Sequence, residues 1–270
     1  GLLLVLIGVI YNNGLNFDVA NMRYASVLGR IGLAWMFAAL LFMNTKNAKI
    51  RLLWLSGILI SYWLLFVFFK APDLGDPDHY SMRGNISSYI DRILLPGRFC
   101  CYEIGDNEGL LPTVAAIGTA LLGMLTGEFL MTKLKPTKKV LYLATAAALL
   151  MIVGQVWNLV FPINKNLWSS SFVCWVGGLS MLLLAIFYLV IDVWKFQKWA
   201  FFFVVIGMNP ITIYLANRII GWDSANRFFF GGLAGLLPEA WAPFIMAIGY
   251  VTIGWVFLYI LYKKKVFLKV

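Results

Sequence analysis

The chain has 270 residues, of which 61% are apolar and only 13% charged, and its mean hydropathy is +0.83. Soluble domains carry about one quarter charged residues, so a single water-soluble domain is excluded. The charges fall between long apolar runs, and the formal net charge of +10 is spread along the connections, so it reads as membrane topology and no nucleic-acid partner is expected.

Apolar runs of roughly 20 residues, enough to cross a bilayer, occupy residues 2 to 15, 24 to 43, 50 to 69, 109 to 131, 139 to 161, 167 to 190, 198 to 220 and 241 to 262. The expected fold is an all-α polytopic membrane protein of about eight transmembrane helices, forming one transmembrane domain over 1–270. The first run begins at Gly1 with no charged flank and no cleavage site. It is read as starting inside a helix, with the chain as the last eight spans of a longer bundle.

Basic residues occupy every second connection: Lys46, Lys49 and Arg51, then Lys133, Lys135, Lys138 and Lys139, then Lys195 and Lys198, then Lys263, Lys264, Lys265 and Lys269. The other connections hold most of the acids, including Asp73, Asp91, Asp106, Glu108, Asp223 and Glu239. The positive-inside rule then places the basic loops and the C-terminus in the cytoplasm and the acidic loops outside or in a lumen.

Residues 70 to 108 form a long outer loop, and loops of that length are usually functional or disordered. Within it, Asn85 to Gly97 reads as an amphipathic helix, capped by Asn85, stopped by Pro96-Gly97 and suited to the membrane surface. Cys100 and Cys101 lie in the same loop, where free thiols are favoured over a vicinal disulfide. Gly123 to Gly127 is a GxxxG match, read as helix packing. Pro210 interrupts the run from 198 to 220 and predicts a kink beside Asn209. The segment from Ser224 to Pro238 reads as either a re-entrant or a surface piece.

Polar groups at membrane depth are costly unless paired or wetted. Arg30 sits one to two turns inside its span without a neutralising neighbour in sequence, so it needs a cavity, a partner carboxylate or an anionic ligand. Asp106 and Glu108 open a helix, where capping explains them as well as binding does. Asn164, Asn166 and Trp168 belong to an outer turn whose amides, hydroxyls and indole suit a carbohydrate, although a cap with an interfacial Trp is an equal reading.

Six segments together resemble one family: Val27 to Gly32, Tyr89 to Arg92, Asp106 to Leu111, Pro162 to Ser169, Gly207 to Pro210 and Tyr259 to Phe267. In order and spacing they are similar to the transmembrane acyltransferase family of heparan-α-glucosaminide N-acetyltransferase, in a bacterial version. The resemblance implies transfer of the acetyl group of cytoplasmic acetyl-CoA to a glucosamine-like amino sugar or glycan end on the outer side, in a bacterial inner membrane. Asp91, Asp106, Glu108, Asn164, Asn166 and Trp168 are then candidates to hold the amino sugar. Arg30 and Asn209 are candidates for the acetyl-CoA side. No metal is implied, and a homo-oligomer is left open.

In that family the His of acetyl transfer lies in a His-x-x-Trp-x-Gly segment, which these 270 residues do not contain. His79, the single histidine, sits in a loop position that does not match and suits a surface role. No catalytic residue is therefore assigned, and the 270 residues are expected to lack a complete active site. A transporter of amino sugars is the alternative reading, motivated by the many spans, the Pro210 break and a polar outer vestibule.

Overall fold

The computed structural model describes residues 1–14 and 18–268, so the end of the first run at Leu15 and the basic residue Lys269 lie outside the described residues. The chain forms two compact units, Gly1–Trp194 and Lys195–Val270. In the first, α1 (Leu2–Asn13), α2 (Val27–Asn44) and α3 (Ala48–Phe68) precede the short α4 (Ile86–Leu94). A two-stranded antiparallel hairpin follows, β1 (Cys101–Tyr102) with β2 (Gly105–Asp106), and then α5 (Leu110–Leu130), α6 (Pro136–Trp157) and α7 (Ser170–Tyr188). The second unit holds α8 (Phe201–Gly207), α9 (Pro210–Ile219), α10 (Trp222–Gly235) and α11 (Ala242–Lys263).

Each of the eight apolar runs finds a helix. Among the described residues six are long and apolar enough to cross a membrane: α2, α3, α5, α6, the stretch Ser170–Val193 that continues α7, and Glu239–Lys263 around α11. A seventh is counted if α8 and α9, bent by 61° at the Asn209-Pro210 break, form one span. The remaining run is α1, whose 12 residues fall short of a bilayer thickness. Eight is thus an approximate count.

Close helix packing rests on glycines other than the GxxxG pair. A Cβ at Gly123 or Gly127 would meet nothing within 4 Å, so in this chain the motif is not buried against a helix. At Gly154 a Cβ would lie 2.8 Å from the Trp175 nitrogen, and at Gly178 2.7 Å from the Ala147 carbonyl oxygen, so α6 and α7 approach backbone to backbone there. A cluster of Tyr62, Phe66, Phe161 and Leu167 is buried at the acidic end of these helices. Tyr62 donates its hydroxyl to the Leu167 carbonyl at 2.5 Å, which satisfies the polar tip of an otherwise apolar contact.

The predicted loop helix forms with its predicted cap: the Asn85 Oδ1 accepts from the Ser88 N–H at 2.7 Å. Its buried positions are polar, Ser87, Ser88 and Asp91, while Ile93 and Leu94 are exposed. The loop is tied to the chain before α2 where Gly97 pairs with Arg23 and Arg98 donates its N–H to the Met22 carbonyl at 3.1 Å. Gly97 has φ +79° and packs on the Met22 carbonyl oxygen, so both its conformation and its bareness are needed. Cys100 and Cys101 are joined as a vicinal disulfide, which corrects the expectation of free thiols.

Candidate functional site

The acidic ends of α2, α4, α5 and α7 bring most of the singled-out residues of the first unit together. Ser26 caps α2 by accepting the Gly29 N–H at 2.9 Å, and Arg30 follows one turn later with 6% of its surface exposed. Its guanidinium donates to the Asn107 carbonyl, just before α5. It also lies 4.7 Å from the centre of the Trp168 indole, whose Nε1 donates to Thr119 Oγ1 at 3.1 Å. Trp168 is held at φ 52°, an unfavourable region for an aromatic residue, so the backbone is bent to deliver that ring. The Arg30 Nε has no partner among the described residues.

Asp91 projects from α4 and is fully buried. One oxygen accepts the Leu110 N–H at 2.9 Å, so the carboxylate caps α5 from a different element. Local capping is not available there, because position 109 is glycine; the Asp91 carboxylate occupies the space a side chain would need. The second oxygen, Oδ2, is buried without a partner among the described residues. Burial raises the Asp91 pKa to about 6, opposed by the backbone N–H groups of Leu110 and Asp106 and reinforced by the nearby charge of Asp106.

Asp106 has the opposite environment. Arg23 Nη2 and Nε donate to its two oxygens at 2.7 and 2.8 Å, and the N–H groups of Glu108 and Cys100 complete them at 2.9 and 2.8 Å. Four donors saturate a carboxylate, so Asp106 has no acceptor site left for a ligand. Burial opposes its ionisation, but the Arg23 contacts and backbone donors outweigh that and hold its pKa low. Glu108 is paired to the same Arg23. Sequence reasoning misses Arg23 because it lies 83 residues from Asp106. The available signal is physical: two acids beside a membrane span demand a cation.

The turn before α7 is also occupied from within. Asn164 Oδ1 accepts the Asn166 N–H at 2.8 Å, building the turn, and Asn166 has protein interactions of its own. The hydroxyls of Ser169, Ser170 and Ser171 donate to the carbonyls of Pro162, Leu59 and Phe161 at 2.7, 2.6 and 2.6 Å. The hydroxyls that suggest a sugar site in the sequence therefore fasten α7 to its surroundings. Asn209 lies in the second unit, buried at the α8 to α9 break. It donates to the Val266 carbonyl at 3.0 Å and accepts from Thr212 Oγ1 and the Leu268 N–H, both at 3.1 Å. His79 bonds the Phe66 carbonyl through Nδ1 at 2.9 Å.

What remains unanswered among the described residues of the first unit is a small set of buried polar atoms: Arg30 Nε, Asp91 Oδ2, Asn107 Oδ1 and Trp63 Nε1. Such atoms cost free energy unless something meets them. Arg30 and Asp91 thus supply, at the acidic end, a cation donor and a carboxylate acceptor whose capacity is not used up among the described residues.

Comparison with known proteins finds similar ones. The chain is 32% identical over 250 residues to the heparan-alpha-glucosaminide N-acetyltransferase of Mus musculus, a match covering 80% of this chain and 37% of that protein. It is 31% identical over 220 residues to the Homo sapiens protein of the same name, covering 73% of this chain and 32% of that one. The chain is a relative of the heparan-alpha-glucosaminide N-acetyltransferases. It spans about a third of the length of these curated relatives. No family model matches the chain. The resemblance to the N-acetyltransferases read from the six segments is borne out by similarity over 73 to 80% of the chain.

Proposed function

We propose that the chain is part of a transmembrane acetyltransferase that takes acetyl-CoA at its basic, cytoplasmic side and acetylates a glucosamine-like amine at its acidic side. The similarity to two N-acetyltransferases supports this reading. The observation that carries it to particular residues is the buried Arg30 guanidinium, which donates to the Asn107 carbonyl while its Nε, the Asp91 Oδ2 and the Asn107 Oδ1 stay unpartnered among the described residues. In the reaction the amine nitrogen bonds to the acetyl carbon, the carbon–sulfur bond breaks, and the proton lost by the amine ends on the departing thiolate, which leaves as the free thiol of CoA. Arg30 suits the acetyl carbonyl, where negative charge grows as the amine attacks. Asp91 Oδ2 and Asn107 Oδ1 suit the amino group, as acceptors for its N–H donors. Trp168, with its indole under the Arg30 guanidinium, fixes that cation in place. Asp106 and Glu108 act through Arg23 to hold the Asn107 segment in place, and Asn164 and Asn166 shape the turn that presents Trp168.

The test is acetylation of glucosamine by labelled acetyl-CoA in proteoliposomes holding the full-length protein. Arg30→Met is expected to lower kcat/KM at least a hundredfold, the usual effect of removing one oxyanion donor, while membrane insertion is unchanged. Transfer at the unaltered rate in that variant would remove Arg30 from the site. Uptake of glucosamine without any acetyl-CoA would instead support a permease.

A further inference from the structure

We propose that the basic end of the first unit binds an anionic phospholipid, with one acyl chain in a cavity between α3, α5, α6 and α7 and the phosphate over neighbouring lysines. The cavity measures about 660 Å³, within the range of small-ligand sites. Its wall is apolar, formed by residues such as Leu52, Leu125, Phe129, Ala146, Leu150 and Met181. All four helices are long and apolar enough to cross a membrane, so the cavity lies at the depth of lipid chains.

The hydroxyls of Thr126 and Thr132 and the carboxylate of Glu128 in the wall are answered within the protein. Thr126 and Thr132 turn their hydroxyls onto the Leu122 and Phe129 carbonyls at 2.8 and 2.7 Å, and Glu128 accepts from Arg51 at 2.6 Å. The wall thus offers an occupant dispersion contacts, which favours a hydrocarbon chain over a polar ligand. The rim favours a negative headgroup. Ala48 and Thr132 of the lining adjoin Lys49 and Lys133 in sequence, and Tyr142 follows Lys138 by one helical turn. Lys49, Lys133, Lys135 and Lys138 are exposed, and among the described residues none makes an ion pair. Glu128, the acid in the lining, is neutralised by Arg51. Unpaired cations beside a chain-sized apolar cavity match a phosphate attached to an acyl chain.

Lipid binding at this end does not depend on acetyl transfer. Native mass spectrometry of the purified full chain, titrated with phosphatidylglycerol or phosphatidylcholine of matched chains, reads it directly. Phosphatidylglycerol is expected to be retained at least tenfold better. Ala146→Phe, which fills the cavity, should abolish retention of both lipids, and Leu52→Trp provides the same obstruction from a half-exposed position if the first variant does not fold. The double variant Lys133→Gln, Lys138→Gln should keep chain binding but lose the headgroup preference. Soluble glycerophosphoglycerol, which lacks chains, should not compete. Equal retention of the two lipids, or undiminished retention once the cavity is filled, would overturn the proposal.

Discussion

Arg30 and Arg51 are both arginines of membrane-length helices, and they are buried to nearly the same degree, with 6% and 8% of their surface exposed. Their surroundings differ. At the basic end, every nitrogen of the Arg51 guanidinium is used: Nε donates to the Thr45 carbonyl at 2.7 Å, Nη1 to Glu128 at 2.6 Å and Nη2 to the Phe42 carbonyl at 3.1 Å. At the acidic end, Arg30 has one carbonyl, one indole face and, among the described residues, no carboxylate within ion-pair distance, and its Nε is unanswered. A completed set of partners makes a fastener; an incomplete set at equal burial costs stability and marks a place where something else completes it. The acidic end nevertheless has its own fastener in Arg23, so the two kinds of arginine stand side by side there.

Removing Arg23 should have the largest effect on this contrast. Arg23→Ala strands Asp106, whose side chain is fully buried, and the expected loss is about 3 to 5 kcal/mol, the cost of breaking a buried ion pair. A loss below about 1 kcal/mol in thermal or denaturant unfolding would show that water takes over the pairing. Next comes the pH dependence contributed by Asp91. Its pKa of about 6 in the folded protein lies above the ordinary carboxylate value, so its contribution to stability is complete below about pH 4 and is lost as pH rises through 6. A displacement of that size corresponds to about 2 to 3 kcal/mol. Asp91→Asn should therefore flatten the difference in unfolding midpoint between pH 4 and pH 7, and a profile that stays as steep would assign it to another group.

Smaller effects separate the two membrane arginines directly. Arg51→Met leaves the Thr45 and Phe42 carbonyls without their donor and should cost about 1 to 3 kcal/mol. Arg30→Met removes a charge whose burial is only partly compensated, and should cost less than about 1 kcal/mol or stabilise the fold. Paired unfolding curves check this, and the contrast fails if Arg30→Met proves the more damaging. Gly109→Ala sharpens it further: the new methyl displaces the Asp91 carboxylate and should remove most of the pH dependence without changing any charge.

The helices are legible in the sequence because hydropathy alone reports a segment's solvent, and every apolar run has its helix. Arg30 is legible for the same reason, as a charge where lipid is expected. The partners are less so. Asp106 and Asn164 read as open binding groups because their donors are backbone N–H groups, or an arginine 83 residues away, none of which leaves a pattern in the sequence. The loop helix shows its cap and its length, yet its buried face is the polar one, since Asp91 is recruited to cap α5. GxxxG names a common packing motif on α5, whereas close contacts are made by other glycines, such as Gly154 on α6 and Gly178 on α7.

Asn209 sets an order of events in biosynthesis. The break between α8 and α9 draws a donor from Leu268, 59 residues further along the chain. A ribosome adding about 5 to 20 residues per second exposes the bent segment several seconds before the segment that completes it. During that interval the carboxamide of Asn209 must be held by water, lipid headgroups or the insertion machinery. A fusion or stop codon placed before residue 266 would make that temporary condition permanent.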